Sequence, residues 1–99
     1  MDIKAGQRLH STVCGTNVVI VKGATGVDLT CGGAPFEDGP GEASGSPAAG
    51  FDEGTLLGKR YEDPETGIEV LCVKPGAGSI AVDGRLLTLK AAKALPASD

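Results

Sequence analysis

The sequence predicts an all-β protein built from two small, similar units, and three observations carry that expectation. Two β-branched runs, Thr16–Lys22 (TNVVIVK) and Ile68–Lys74 (IEVLCVK), are bounded by turn residues in the way strands are. The stretch Gly6–Gly33 lies without a gap on Gly58–Arg85 when moved forward by 52 positions: Gly6, Arg8, Gly15, Val18, Val21, Lys22, Gly26 and Gly32 meet Gly58, Arg60, Gly67, Val70, Val73, Lys74, Gly78 and Gly84. Aromatic residues are limited to Phe36, Phe51 and Tyr61, so the core is built from Val, Leu, Ile and Ala, which suits thin β layers.

Three segments follow from this pattern: a first unit over residues 1–35, a connector over 36–54 and a second unit over 55–99. In the first, Gly6–Cys14 reads as a short strand entering a turn at Cys14-Gly15. Thr16–Lys22 is the clearest strand. Gly23–Gly26 supplies a turn, because glycine reaches positive φ without steric cost. Val27–Thr30 then returns as hairpin partner of the long strand and stops at Cys31-Gly32-Gly33, which completes a β-meander with both cysteines at one end.

The connector, FEDGPGEASGSPAAGFDEG, is rich in Gly, Pro, Ser, Ala and acid, and is expected to be flexible with Phe36 and Phe51 anchoring its ends. In the second unit Tyr61 takes the place of Leu9, Ile68–Lys74 repeats the long strand, Pro75–Gly78 is the turn and Ser79–Val82 the returning strand. Asp83-Gly84 is a tight-turn dipeptide leading to one further strand over Arg85–Lys90. Lys90–Ala94 has room for a helical turn, and Pro96–Asp99 is expected to be loose.

Composition narrows the classes of function. The formal net charge is −4, and Glu37, Asp38, Glu42, Asp52 and Glu53 place the surplus in the connector. With no cluster of Lys or Arg, nucleic acid is not the expected partner. No run reaches the length of a membrane span and MDIKAGQRLH lacks an apolar leader core, so a cytoplasmic location is expected. Three cysteines, an odd number, favour free thiols or metal ligands over a disulfide framework. A unit of about 35 residues is too small to be held by its apolar core alone, so a metal, a disulfide or packing of one unit on the other must supplement it.

The first unit resembles the desulforedoxin family, which also forms the N-terminal domain of desulfoferrodoxins. The matching residues are Gly6; Ser11-Thr12-Val13-Cys14-Gly15 for the family's Cys-x-x-Cys-Gly; Val18–Val21 for its Val-rich strand; Gly23–Gly26 for its turn; and Leu29-Thr30-Cys31-Gly32, with Pro35-Phe36 behind, for its Cys-Cys-Gly and apolar residue. The resemblance covers about a third of the chain, or over half when the second copy is included. It implies two desulforedoxin-like β-meander units packed as an intramolecular pseudo-dimer, since the family pairs as symmetric dimers. It also implies a tetrahedral iron or zinc centre, which needs four thiolates. Here Cys14 and Cys31 are kept while Ser11 and Thr30 fill the other two places, and in the second copy the places fall on Asp63, Thr66, Val82 and Asp83. Cys72 aligns with Ile20 inside the long strand and reads as core.

Three readings of Cys14 and Cys31 remain open at the level of sequence: buried thiols left from a lost centre, an iron or zinc site completed by His10, Ser11 or water, and a reversible dithiol pair. His10, the only histidine, also reads as a plain surface residue. Lys22, Lys74, Arg8 and Arg60 read as solvated strand ends, and Glu62, Asp63, Glu65 and Glu69 as a solvated acidic loop. No nucleophilic or acid–base catalytic set is evident. The expected function is therefore a non-enzymatic accessory or structural module that binds a partner protein, for example a larger enzyme subunit. The alternative is a mononuclear metal or dithiol redox protein using Cys14 and Cys31.

Overall fold

The computed structural model describes residues 2–39, 41, 43 and 45–90. It is all-β over these residues, with ten strands, β1 (Arg8–His10), β2 (Asn17–Lys22), β3 (Leu29–Cys31), β4 (Ala34–Pro35), β5 (Glu37–Asp38), β6 (Arg60–Asp63), β7 (Ile68–Lys74), β8 (Ile80–Val82), β9 (Arg85–Leu86) and β10 (Thr88–Leu89). They form two antiparallel sheets, in the orders β10-β6-β7-β2-β1-β5 and β4-β3-β8-β9. No helix among the described residues is long and apolar enough to cross a membrane. The expectations for residues 91–99 lie outside the described part.

Alternation explains the layering. Val18 and Ile20 of β2 are buried while Val19 between them is half-buried, as period-two side chains must be when one face meets a core. Leu9, Val18, Ile20, Ile68 and Val70 of the six-stranded sheet pack with Leu29, Cys31, Ile80 and Val82 of the four-stranded one in a single cluster. Phe36, 2 % exposed, lies where the chain passes from β4 in one sheet to β5 in the other, and Leu87, 8 % exposed, does the same between β9 and β10.

The two halves of the chain meet along both sheets. In one sheet β2 pairs with β7, with Val19 opposite Leu71, Val18 opposite Cys72 and Ile20 opposite Val70. Each of these partners is 52 positions from a residue of the same trio, so the pairing is reciprocal about Val19 and Leu71. Register shifts near both ends of β2 break the ladder symmetrically, which adds local twist. Outside this seam the same interval recurs: Ile3 bridges Ala24 and Thr55 bridges Gly76, Arg8 pairs with Val19 and Arg60 with Leu71, and Gly6 N–H donates to Ile20 O as Gly58 N–H does to Cys72 O.

Four expectations are corrected by these pairings. Val27–Thr30 does not return against the long strand: β3 leaves the sheet of β2 and pairs with β4 and β8. The reason is that both edges of β2 are already paired, one with β1 and the other with β7, and just beyond β2 Ala24 exchanges backbone hydrogen bonds with Ile3 in both directions (2.8 and 2.9 Å). The units are therefore not simple meanders. The strand expected over Arg85–Lys90 is two strands, bent at the buried Leu87.

The gapless alignment also slips by one residue after the turn. Leu29 pairs with Val82 and Cys31 with Ile80, which makes the interval 51 and gives Cys31 the counterpart Val82 rather than Asp83. Both following turns are two-residue loops with positive φ throughout, Gly32-Gly33 (65° and 87°) and Asp83-Gly84 (51° and 80°), the pattern of type I′ hairpins. The shortening falls between Gly76 and Ile80. Finally, the segment expected to be a connector begins inside the fold: Phe36 is core, and Glu37-Asp38 is an edge strand on β1 whose two exposed carboxylates discourage further pairing.

Candidate functional site

The turn between β1 and β2 is closed by Ser11 N–H donating to Thr16 O at 2.8 Å, and the Val13 N–H caps Ser11 Oγ at 3.1 Å. Folded so tightly, the turn gathers its polar side chains inward. Ser11 Oγ and Thr16 Oγ1 each lie 3.3 Å from Cys14 Sγ, and both residues are 0 % exposed. Cys31 ends β3 beside this turn, and its sulfur lies 3.8 Å from that of Cys14. Both thiols are buried and unbridged, as is Cys72.

The second half of the chain supplies the cover. Gly78 N–H donates to Cys14 Sγ at 3.4 Å, Thr16 Oγ1 donates to Thr55 Oγ1 at 3.4 Å, and Thr55 Oγ1 donates to Gly78 O. The two glycines of this loop are required by contact. A Cβ on Gly76 would stand 3.0 Å from Cys14 Sγ and press on Thr16, and one on Gly78 would stand 3.0 Å from Cys31 Sγ and 2.9 Å from the Gly32 nitrogen.

This arrangement treats the two sulfurs differently. Burial opposes ionisation of Cys14, but hydrogen bonding with the Ser11 and Thr16 side chains and with the Thr16 and Gly78 backbone outweighs it and brings the thiol down to about 7. Burial, then the charge of Cys14, pushes Cys31 up to about 12 against the opposing effect of hydrogen bonding with Thr16 and Ser11. Cys72 is raised mainly by burial, and its thiol donates to Lys74 O at 3.2 Å. It lies within β7, opposite Val18.

Of the residues singled out from sequence, Cys14, Cys31 and Ser11 are brought together. His10 is not: its Nδ1 lies 2.9 Å from Gly39 O and its Nε2 3.7 Å from Glu37 Oε1, so the ring engages the start of the 36–54 segment. Thr30 Oγ1 donates to Ala81 O at 3.4 Å, a cross-strand bond to β8. Among the described residues no group of three His, Cys, Asp or Glu is placed to hold a metal ion. Thr16, Thr55, Gly76 and Gly78 complete the site and were not singled out. Thr16 was within reach, two residues after Cys14; the other three come from the opposite half, and nothing local marks them.

The equivalent place in the second half holds an ion pair instead. Asp63, the counterpart of Ser11, accepts from Thr66 N–H (3.1 Å) and Thr66 Oγ1 (2.8 Å) and from Arg85 Nε (3.1 Å) and Nη2 (2.8 Å). Arg85, with help from Thr66, holds the Asp63 carboxyl well below the usual range against the effect of burial. Glu69 is likewise buried, with Lys90, Arg60 and Lys22 around it at 3.0, 3.5 and 4.0 Å. The acidic loop is therefore not simply solvated: two of its four carboxylates are interior and paired.

Comparison of the chain with protein-family models, curated proteins and solved structures returned no match.

Proposed function

We propose that the chain consists of two desulforedoxin-like units folded on each other as an intramolecular pseudo-dimer, and that its chemistry is that of a reversible dithiol formed by Cys14 and Cys31. The reciprocal pairing of β2 with β7 and of β3 with β8 supports the first part. The second rests on one observation: two sulfurs 3.8 Å apart, enclosed, with two hydroxyls in hydrogen-bond contact with one of them and an amide N–H donating to it. A disulfide bond is about 2.05 Å long, so modest side-chain rotation closes the gap. An iron or zinc centre fits less well, because a closed site takes four donors and the described residues offer two sulfurs with only hydroxyls beside them. A cytoplasmic setting would keep the pair reduced at rest.

The test is oxidation with hydrogen peroxide followed by thiol counting and peptide mapping. The expected product links Cys14 to Cys31, leaves Cys72 free and reverts with dithiothreitol. A product that links Cys72, or oxidises Cys14 beyond reach of dithiothreitol without forming the bond, would reject the reading.

A second reading, a non-enzymatic accessory module that binds a partner protein such as a larger enzyme subunit, is favoured by a different feature. Leu56, Leu57, Leu86 and Leu89 are 57, 61, 39 and 50 % exposed, whereas the corresponding places of the first half carry Lys4, Ala5, Pro35 and Asp38. The scaffold does not require these leucines, Leu56 and Leu89 both lie beside Tyr61, and exposed apolar side chains brought together in this way mark contact surfaces. Size-exclusion of native extract checks this: migration solely as a free monomer counts against a standing partner.

A further inference from the structure

We propose that the pair works in a fixed order on an external disulfide, Cys14 as the attacking sulfur and Cys31 as the resolving one; this rests on the dithiol reading above. Three observations distinguish the sulfurs. Of the two, it is Cys14 that accepts the Gly78 N–H, at 3.4 Å, a donor that holds negative charge on sulfur, with Ser11 Oγ and Thr16 Oγ1 each 3.3 Å away. Cys14 keeps 6 % of its surface exposed while Cys31 has none. Cys31 sits at the end of β3, paired on both sides by β4 and β8, so its backbone is fixed, whereas Cys14 lies in the turn between β1 and β2.

The cover over the site fits the same order. The loop from Pro75 to Ser79 lies against both sulfurs and is held by Thr55 N–H to Gly76 O, Thr55 Oγ1 to Gly78 O, Ser79 N–H to Phe51 O and Gly32 N–H to Ser79 O. No ion pair among the described contacts fastens it. Lifting its Gly76–Gly78 part uncovers Cys14 first, since Cys31 is enclosed by its neighbouring strands as well.

The exchange balances as follows. The Cys14 thiol loses its proton to solvent, the thiolate attacks one sulfur of the substrate disulfide R–S–S–R′, that S–S bond breaks, and R′–S⁻ leaves and takes up a proton from solvent. The Cys31 thiol gives its proton to solvent and attacks the Cys14 sulfur, forming the Cys14–Cys31 bond and expelling R–S⁻, which is protonated in turn. Two electrons and two protons pass from the pair to the substrate, which ends as two thiols.

The experiment uses the full chain carrying Cys72→Ser, with 5,5′-dithiobis(2-nitrobenzoate) as probe. The expected result is release of two equivalents of thionitrobenzoate and no adduct; adding Cys31→Ser leaves one equivalent released and one attached at Cys14, and adding Cys14→Ser slows the reaction at least tenfold. Limiting iodoacetamide on the reduced, unmutated chain, followed by mass mapping, gives the order without any substitution: Cys14 labelled at least tenfold faster than Cys31. Equal labelling, or a trapped adduct on Cys31, overturns the assignment. A chain that forms the Cys14–Cys31 bond with peroxide yet exchanges with neither the probe, glutathione disulfide nor insulin also overturns it, while leaving the dithiol reading intact. Reduction of glutathione disulfide or of insulin supports it and tells a small disulfide from a protein one.

Discussion

Oxidising Cys14 and Cys31 changes the stability of the whole chain by an amount that can be worked from their placement. The two residues are 17 apart in sequence, and tying a loop of that size restricts the unfolded chain by roughly 3 kcal/mol. Against this stands the loss of the hydrogen bonds that Cys14 makes with Ser11, Thr16 and Gly78, worth about 1 kcal/mol together because bonds to sulfur are weak. The oxidised form should therefore be more stable by about 2 kcal/mol, and for a domain of this size each kcal/mol moves Tm by about 4–8 °C, so the expected rise is roughly 8–16 °C. By the same cycle the fold favours the disulfide by about 40 mV over the unfolded chain. Differential scanning calorimetry of the reduced and oxidised protein measures the shift directly, with Cys31→Ser treated identically as the control. An oxidised form that melts at or below the reduced one would refute the argument, since the two sulfurs could then close only by distorting the turn around Ser11. An equal rise in Cys31→Ser would show that oxidation acts somewhere else.

Three further outcomes are expected. Phe36→Ala should cost about 3–5 kcal/mol in a denaturant titration, because the side chain is 2 % exposed in the common core; a loss below about 0.5 kcal/mol would mean that residue 36 belongs to a loose connector. The carboxyls of Asp63 and Glu69 titrate below their ordinary values in the folded state, so the stability they contribute is complete above about pH 4 and declines as the pH falls through their folded values; Asp63→Asn should flatten that acid limb in thermal melts from pH 5 to 2. Alkylation of Cys14 by iodoacetamide should accelerate as pH rises through about 7 and then level off, and a rate still climbing as for an ordinary thiol at pH 8–9 would contradict the donor cage.

The strands were largely legible because they are local: β-branched runs between turn residues yield β2 and β7 within a residue of the expected limits. The crossing of β3 to the other sheet was not, because what excludes it from β2 is the pairing of both β2 edges, with β1 and with β7, and nothing in VKGATGV announces a competitor from the opposite half. The slip from an interval of 52 to 51 was hidden by the coincidence of Gly32 with Gly84. Had the two-residue turns been matched by type, Gly32-Gly33 with Asp83-Gly84, the shorter loop before β8 would have been visible. Asp63 and Glu69 read as solvated because their cations come from Arg85, Lys22, Arg60 and Lys90, most of them far along the chain. The nearness of Cys14 to Cys31 was legible, but the hydroxyl chain from Thr16 through Thr55 to Gly78 depends on how one half meets the other.

The two halves also bear on why the thiol pair is there at all. Each half must fasten the turn after its first strand to the hairpin that follows its third. In the second half this is done by Asp63, which holds Thr66 on its own turn and reaches Arg85 at the start of β9. In the first half the place of Arg85 is taken by Ala34 and that of Asp63 by Ser11, and the same gap is spanned by Thr12 Oγ1 donating to Pro35 O at 3.4 Å and by the contact of Cys14 with Cys31, two sulfurs in van der Waals reach. Such a contact is a weak fastener beside a paired carboxylate, and surrounding it with polar groups does not strengthen it, because those groups favour the charged form of the sulfurs, that of Cys14 above all. Packing alone would be served better by two apolar side chains, as Val82 serves in the place of Cys31. On the proposed dithiol reading the polar groups serve the thiolate more than the fold, and a chain in which Cys14→Ala and Cys31→Val together raised Tm while abolishing peroxide-driven reversible oxidation would separate the two roles.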